Sequence, residues 1–287
     1  MMEEILADIG NSRRYTLHSH TEFCDGHATM EAFARKAVEE GFTHYGFTPH
    51  SPIAITSPCN MLRDNVGRYD TEYRRISDTY GDRVKFYRSM EIDYLGEEWG
   101  PSHEYFASLN LDYAIGSVHF IPCQSGEYID IDGHFDSFCK KMERYFHDDI
   151  RYVVETYYDK SIAMVEAGGF EIIGHLDKIG NNASCYQPGI ESEPWYQALL
   201  DDLIRRVIDA GLVVEINTKA WHQQNRMFPH TGKWKMLLDA GVKLVVNSDA
   251  HVPALINAGR DEAYSMLDAI GQPLQPVEEA MPMPPMY

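Results

Sequence analysis

Residues 17–27 read LHSHTEFCDGH, which places His18, His20 and His27 with Glu22 and Asp25 inside eleven residues. A solvated loop has no need of so much imidazole, whereas a metal site uses histidine and carboxylate together. Further candidate ligands follow one rule of position. Strand-like runs elsewhere end at His50 (TPH), Glu91 (MEIDY), His119 (GSVHF), His175 (GHLD), and Asp249 with His251 (NSDAH). With His18 and His20, six of the 13 histidines and two carboxylates stand at or just past the C-terminal ends of such runs. Residues two apart in extended chain point the same way, so His18 with His20, and Asp249 with His251, can each present two ligands together. Donors of this kind without thiolate suit Zn, Mn, Fe or Ni. Cys24, beside the first cluster, reads as packing.

Something must bring these ends together. Seven strands are expected, over 15–18, 45–48, 84–92, 113–118, 172–174, 213–217 and 244–247. Helices are expected over 30–40, 150–167 and 195–210, with Asp148 or Asp149 capping the second. The stretches AVEEGFTHYGFT, VIDAGLVVEIN and LLDAGVKLVVN share one grammar of helix end, glycine and buried strand. That recurrence predicts parallel βα units closed into a barrel, whose C-terminal strand ends converge on one face. Inserts at 51–65 and 121–135 follow strands and read as rim loops. One domain is expected over residues 1–270, followed by a Pro/Met-rich tail over 271–287.

The bulk properties narrow the function. A formal charge of −19 argues against a nucleic-acid partner, which would need a basic stripe, but not against a small phosphorylated substrate at a metal site. Five cysteines with no CxxC pair argue against a disulfide framework or zinc knuckle. No long apolar run or basic leader is present, so neither a membrane span nor a secretory signal is expected. The expectation is a reduced, cytoplasmic protein.

The ordered blocks HSHTEFCDGHAT, TPH, MEIDY, GSVHF, GHLD, EINT and NSDAH resemble those of the PHP (polymerase and histidinol phosphatase) superfamily. More narrowly they resemble its monofunctional histidinol-phosphate phosphatases. The resemblance implies a distorted seven-stranded (βα)7 barrel holding two or three divalent ions (Zn, Mn or Fe) and no organic cofactor. It implies that His18, His20, Glu91 and Asp249 hold one metal, and that Glu91 bridges to a second held by His119 and His175. A third would take His50, His251 and either Asp25 or His27 from the first loop, Asp25 fitting the spacing better.

Such a site predicts hydrolysis of a phosphate ester by attack of a metal-bridging hydroxide, and the resemblance implies L-histidinol phosphate, in histidine biosynthesis, as the substrate. Glu91, Asp249 and His251 are the expected catalytic groups, the last two being candidates to protonate the leaving alkoxide. Asn217, Lys219 and Arg226, after the sixth strand, are expected to bind phosphate, with His222 a weaker candidate. Tyr128, Asp130 and Asp132 could receive the amine and imidazole. Asp93 and Tyr94, beside Glu91, read equally well as site or scaffold. The alternative is a PHP-type phosphoesterase acting on nucleotides or short single-stranded nucleic acid.

Overall fold

Short buried runs carry the architecture of the computed structural model, which describes residues 1–271. Ten strands occur among them: β1 (Tyr15–Thr16), β2 (His44–Phe47), β3 (Lys85–Arg88), β4 (Met90–Asp93), β5 (Ala114–Ser117), β6 (Phe120–Pro122), β7 (Tyr128–Asp130), β8 (Ile172–Ile173), β9 (Val213–Asn217) and β10 (Leu244–Asn247). The eight outside β6 and β7 pair in parallel, in sheets of order β1-β2-β3 and β10-β9-β8-β5-β4. Parallel strands covered on both faces should be apolar throughout, and β9 and β5 are buried at every residue.

Two expectations are corrected here. The run over 84–92 is two strands, not one. Arg88 still pairs with Phe47 of β2, whereas Met90 pairs with Ala114 of β5. Ser89 makes the change of partner, its N–H donating to Phe47 O and its hydroxyl to Tyr113 O. The parallel strands therefore fall into two hydrogen-bonded sheets. Single parallel bridges, Ser19 with Ala250 and His50 with Glu91, span the two seams between them. The rim insert over 121–135 also contains β7, which forms an antiparallel hairpin with β6.

The expected helices form over Met30–Glu39, Ile150–Ala167 and Pro194–Asp209. Thr29 caps the first by accepting from Ala32 N, and Asp149 caps the second by accepting from Tyr152 N. An unexpected helix, Met2–Ile9, buries Met2, Ile5 and Ile9 against Tyr15, Tyr113 and Val245, in a core to which both sheets contribute. Among the described residues no helix is long and apolar enough to cross a membrane. Apart from Gly271, the expected tail lies outside the described residues.

Gly46 shows how tightly the first sheet closes on that core. A Cβ there would lie 1.8 Å from Tyr113 Oη, the hydroxyl that donates to Leu17 O at 2.6 Å. Gly46→Ala is expected to destabilise the protein by roughly 1–3 kcal/mol, as overpacking does. Calorimetry should show a Tm lower by several degrees, and an unchanged Tm would mean that Tyr113 moves freely.

Candidate metal centre

β1 and β10 run parallel to one another across the Ser19–Ala250 bridge, so their continuations emerge side by side. His18 and His20 project from the first and Asp249 from the second. His20 Nε2 lies 3.0 Å from Asp249 Oδ1 and 3.1 Å from His18 Nε2. Across the other seam, Glu91 of β4 sits against His50.

The two oxygens of Glu91 face different neighbours. Oε2 lies 3.1 Å from His50 Nδ1, 3.3 Å from His18 Nε2 and 3.4 Å from His20 Nε2. Oε1 lies 2.8 Å from His175 Nε2 and 3.5 Å from His119 Nε2. One buried carboxylate is thus divided between two sets of imidazoles.

The first loop supplies Asp25. Its Oδ1 lies 3.3 Å from His251 Nε2, and its Oδ2 lies 3.8 Å from His50 Nε2. Gly26 lets the loop fold this way, because a Cβ there would stand 2.4 Å from the backbone of His20 and Thr21. His27 is corrected: it is exposed, and only its backbone N–H turns inward, to His251 O. Two residues around one glycine point apart, and the chain turns Asp25 toward the histidines.

Four groups of donor atoms result, each within 4.8 Å: His18, His20, Asp249; Glu91, His119, His175; His20, Asp25, His50, His251; and His50, Asp93, His119. These residues fit divalent cations. His18 Nδ1 is engaged by Glu215 Oε1 at 2.6 Å and His119 Nδ1 by Asp93 Oδ1 at 2.7 Å. In the neutral ring each Nε2 then carries a lone pair, and these face His20 Nε2 and His175 Nε2 at 3.1 and 3.3 Å. Glu91 Oε2, Asp25 Oδ1 and His50 Nδ1 are buried with no hydrogen-bond partner. Such atoms are costly to bury unless something else satisfies them, and a cation does.

The local fields agree. Burial opposes charge on His18 and His119, but carboxylates outweigh it. Glu215, Asp249 and Glu91 hold His18 well above its usual range, while Asp93 and Glu91 raise His119 to about 9. Burial, with His251 and His50 nearby, pushes His20 well below its usual range. Burial works against ionised Glu91 and Asp249 too. His18, His119 and His50 overcome it for the first, and Lys219 and His18 for the second, so both stay far below the ordinary carboxylate range. A cation can replace the protons on the raised imidazoles. Cys24 Sγ lies 3.4 Å from His20 Nδ1, but burial pushes its thiol up, and it joins none of the four groups.

A model of the PHP domain family matches residues 16–219. The chain belongs to the PHP domain family. It is 25% identical over 275 residues to a protein of Schizosaccharomyces pombe named "Probable histidinol-phosphatase", covering 88% of this chain and 86% of that one. Two solved structures share the fold. The hisK protein of Listeria monocytogenes superposes with TM-score 0.77 at 18% identity, over 86% of this chain and 99% of that one. The histidinol phosphate phosphatase of Lactococcus lactis, solved with zinc, L-histidinol and phosphate, gives TM-score 0.67 at 17% identity, over 90% and 94%.

Around the donor groups, this PHP chain builds a supporting layer that the sequence revealed only in part. Glu215 of β9 is buried and fully partnered, by His18 Nδ1, His175 N, Asn217 Nδ2 and Asn247 Nδ2. A carboxylate inside the apolar run VVEIN was the available signal, since such a group is buried only when partnered. Asp93 supports His119 and accepts from Asn60 Nδ2 at 3.0 Å. Glu215→Gln is expected to weaken metal binding about 10- to 100-fold. Competition with a chromogenic chelator measures it, and an unchanged affinity would make Glu215 a packing residue only.

A cavity of about 580 Å³ opens beside the donors, lined by Asp25, His50, His119 and His251 on one side and by the β6–β7 hairpin on another. Asn217 and Lys219, expected to bind phosphate, both line it. Asn217 Nδ2 donates to Asp249 Oδ2, and Lys219 Nζ lies 3.4 Å from Asp249 Oδ1 and 3.3 Å from His251 Nε2. Arg226 is corrected. Both its terminal nitrogens bind Glu191, at 2.7 and 2.8 Å, and it does not line the cavity. A bidentate carboxylate partner far off in sequence, on the short turn Ile190–Ser192, holds it there. Asp130 and Asp132 line the cavity but are each held by a lysine, Lys141 and Lys178. Tyr128 lines it too, whereas Tyr94 is buried elsewhere and His222 is exposed.

Proposed function

We propose that this protein is a metal-dependent phosphomonoesterase that hydrolyses L-histidinol phosphate to L-histidinol and phosphate. The observation that carries the reading is Glu91, one carboxylate shared between two imidazole sets, of which His50 and His119 line a substrate-sized cavity. The S. pombe relative's name and the zinc, L-histidinol and phosphate bound in the L. lactis structure support the substrate. We also read the two parallel sheets as one distorted barrel, with β3 and β4 as halves of a strand interrupted at Ser89. On that reading residues 1–270 form a single domain.

His18, His20, Glu91 and Asp249 would hold one ion, Glu91, His119 and His175 a second, and Asp25, His50 and His251 a third. Ions held there supply Lewis acidity that polarises a phosphate ester and acidifies water. The remaining work falls to the chain. Asp93 and Glu215 fix the ring orientations of His119 and His18. Lys219, beside Asp249 and His251, adds positive charge where the phosphoryl group gains negative charge. Asp249 is held ionised and so is a poor proton donor to the leaving alkoxide. His251 faces the cavity, but its Nε2 would hold the third ion and its Nδ1 is turned to Asp249 O, so it too has no proton free for the alkoxide.

The test is phosphate release from L-histidinol phosphate beside sugar phosphates, mononucleotides and a short oligonucleotide, with Zn or Mn supplied. A clear preference for L-histidinol phosphate is expected. Preference for nucleotides or the oligonucleotide would transfer the site to the alternative substrate class.

A further inference from the structure

Lys178 stands three residues after His175, and its side chain is only 14% exposed. Its ammonium lies 2.7 Å from Asp132 Oδ2, its single ion-pair partner among the described residues. Both residues line the cavity, together with His119 and Lys219. Burial opposes charge on Asp132, but Lys178, His119 and Lys219 outweigh it and keep the carboxylate ionised.

A buried cation next to donors that gather divalent ions is an unfavourable arrangement by itself, because like charges repel strongly where water is scarce. Asp132 neutralises one charge and engages one side of an ammonium that has three donors. The pair is not needed to fasten the segment after β7 to the helix Ile179–Tyr186. Asn182 Nδ2 of that helix already donates to Ile131 O at 3.2 Å and Gly133 O at 3.4 Å. Lys141, Lys178 and Lys219 all line the cavity, the first two each paired with one aspartate and Lys219 beside Asp249. With bound cations added, the ligand this face would take is a multiply charged anion.

We propose that Lys178 is a phosphate-binding residue whose ammonium contacts the phosphoryl oxygens of the substrate, and that Asp132 is the positioning residue that aims it. This rests on the phosphomonoesterase reading above. It takes the role expected of Arg226, which is occupied by Glu191. Lysine serves here as a compact point charge that one carboxylate can hold in place.

Calorimetric titration of the zinc-loaded protein with inorganic phosphate, and separately with L-histidinol, tests it. Lys178→Met should weaken phosphate about 10- to 100-fold, the worth of a charge-assisted contact, with zinc content unchanged. L-Histidinol, which has no phosphate, should bind within about twofold of wild type, and Lys178→Arg should restore most of the phosphate affinity. Asp132→Asn should weaken phosphate binding and raise KM more than it lowers kcat, with Asp132→Glu recovering part of the loss. Unchanged phosphate affinity in Lys178→Met, or an equal loss for both ligands, would overturn the proposal. If Lys178→Met does not fold, unchanged phosphate affinity in Asp132→Asn overturns it as well. Wild-type protein that binds no phosphate would also end it. Wild-type protein that binds phosphate but leaves L-histidinol phosphate intact would instead refute the substrate, and the Lys178 comparison would still be read.

Discussion

Glu91→Gln is expected to lower kcat/KM for L-histidinol phosphate by at least about a thousandfold. Metal ions at such a centre are worth several kcal/mol of transition-state stabilisation, and each 1.36 kcal/mol is tenfold in rate. Glu91 faces two sets of imidazoles, so its replacement disturbs both at once. Its Oε2 approaches His18, His20 and His50, and its Oε1 approaches His119 and His175. The amide keeps the shape but loses the charge, and its nitrogen would turn a donor toward one set. Bound metal per chain should fall by at least one ion while circular dichroism stays native. A variant that keeps a tenth of the wild-type rate would show that Glu91 does not bridge.

Removing metal with a chelator is expected to abolish turnover and to lower Tm by roughly 5–15 °C. A ligand held at a thousand times its Kd stabilises the folded state by about 4 kcal/mol, and each kcal/mol moves Tm by roughly 2–4 °C in a domain somewhat smaller than this one. Uptake should also depend on pH. In the metal-free protein His119 titrates at about 9, because Asp93 and Glu91 outweigh the burial that opposes its charge. At pH 7 it carries a proton that a cation must displace, so affinity should rise as pH increases through this range. Metal titration in weakly buffered solution should release protons. A Tm that does not respond to chelator, or uptake with no proton release, would contradict this account of the centre.

The donor set was legible because its chemistry repeats at one place in the fold. Each of His50, Glu91, His119, His175 and Asp249 closes a strand-like run, and parallel strands bring such ends together whatever their exact number. The strand count itself was not legible. Nothing local marks Ser89 as the point where the chain leaves β2 for β5, since both halves, KFYR and MEID, mix strand-forming residues with charged ones. Arg226 was misplaced for a related reason. Its neighbour in sequence, Lys219, reaches Asp249, but Glu191 lies 35 residues upstream of Arg226 and no local pattern connects the two. Asp25 and His27 were separable only by the turn at Gly26. Glu215 and Lys178 were readable in retrospect, as charged groups next to buried strands or ligands with no solvent to keep them.

Two of the donor residues stand on left-handed backbone, His175 with φ 23° and Asp249 with φ 48°. Residues in that region cost free energy that the surrounding structure must offset, and glycine or asparagine would occupy it more cheaply. Selection for heat tolerance alone, in cells supplied with histidine and depleted of the metal that would otherwise stabilise the fold, should therefore collect substitutions at these two positions early. Selection for growth without histidine should purge the same substitutions. Durability and activity would then pull one pair of residues in opposite directions, and comparing the two surviving pools by sequencing would display that conflict directly.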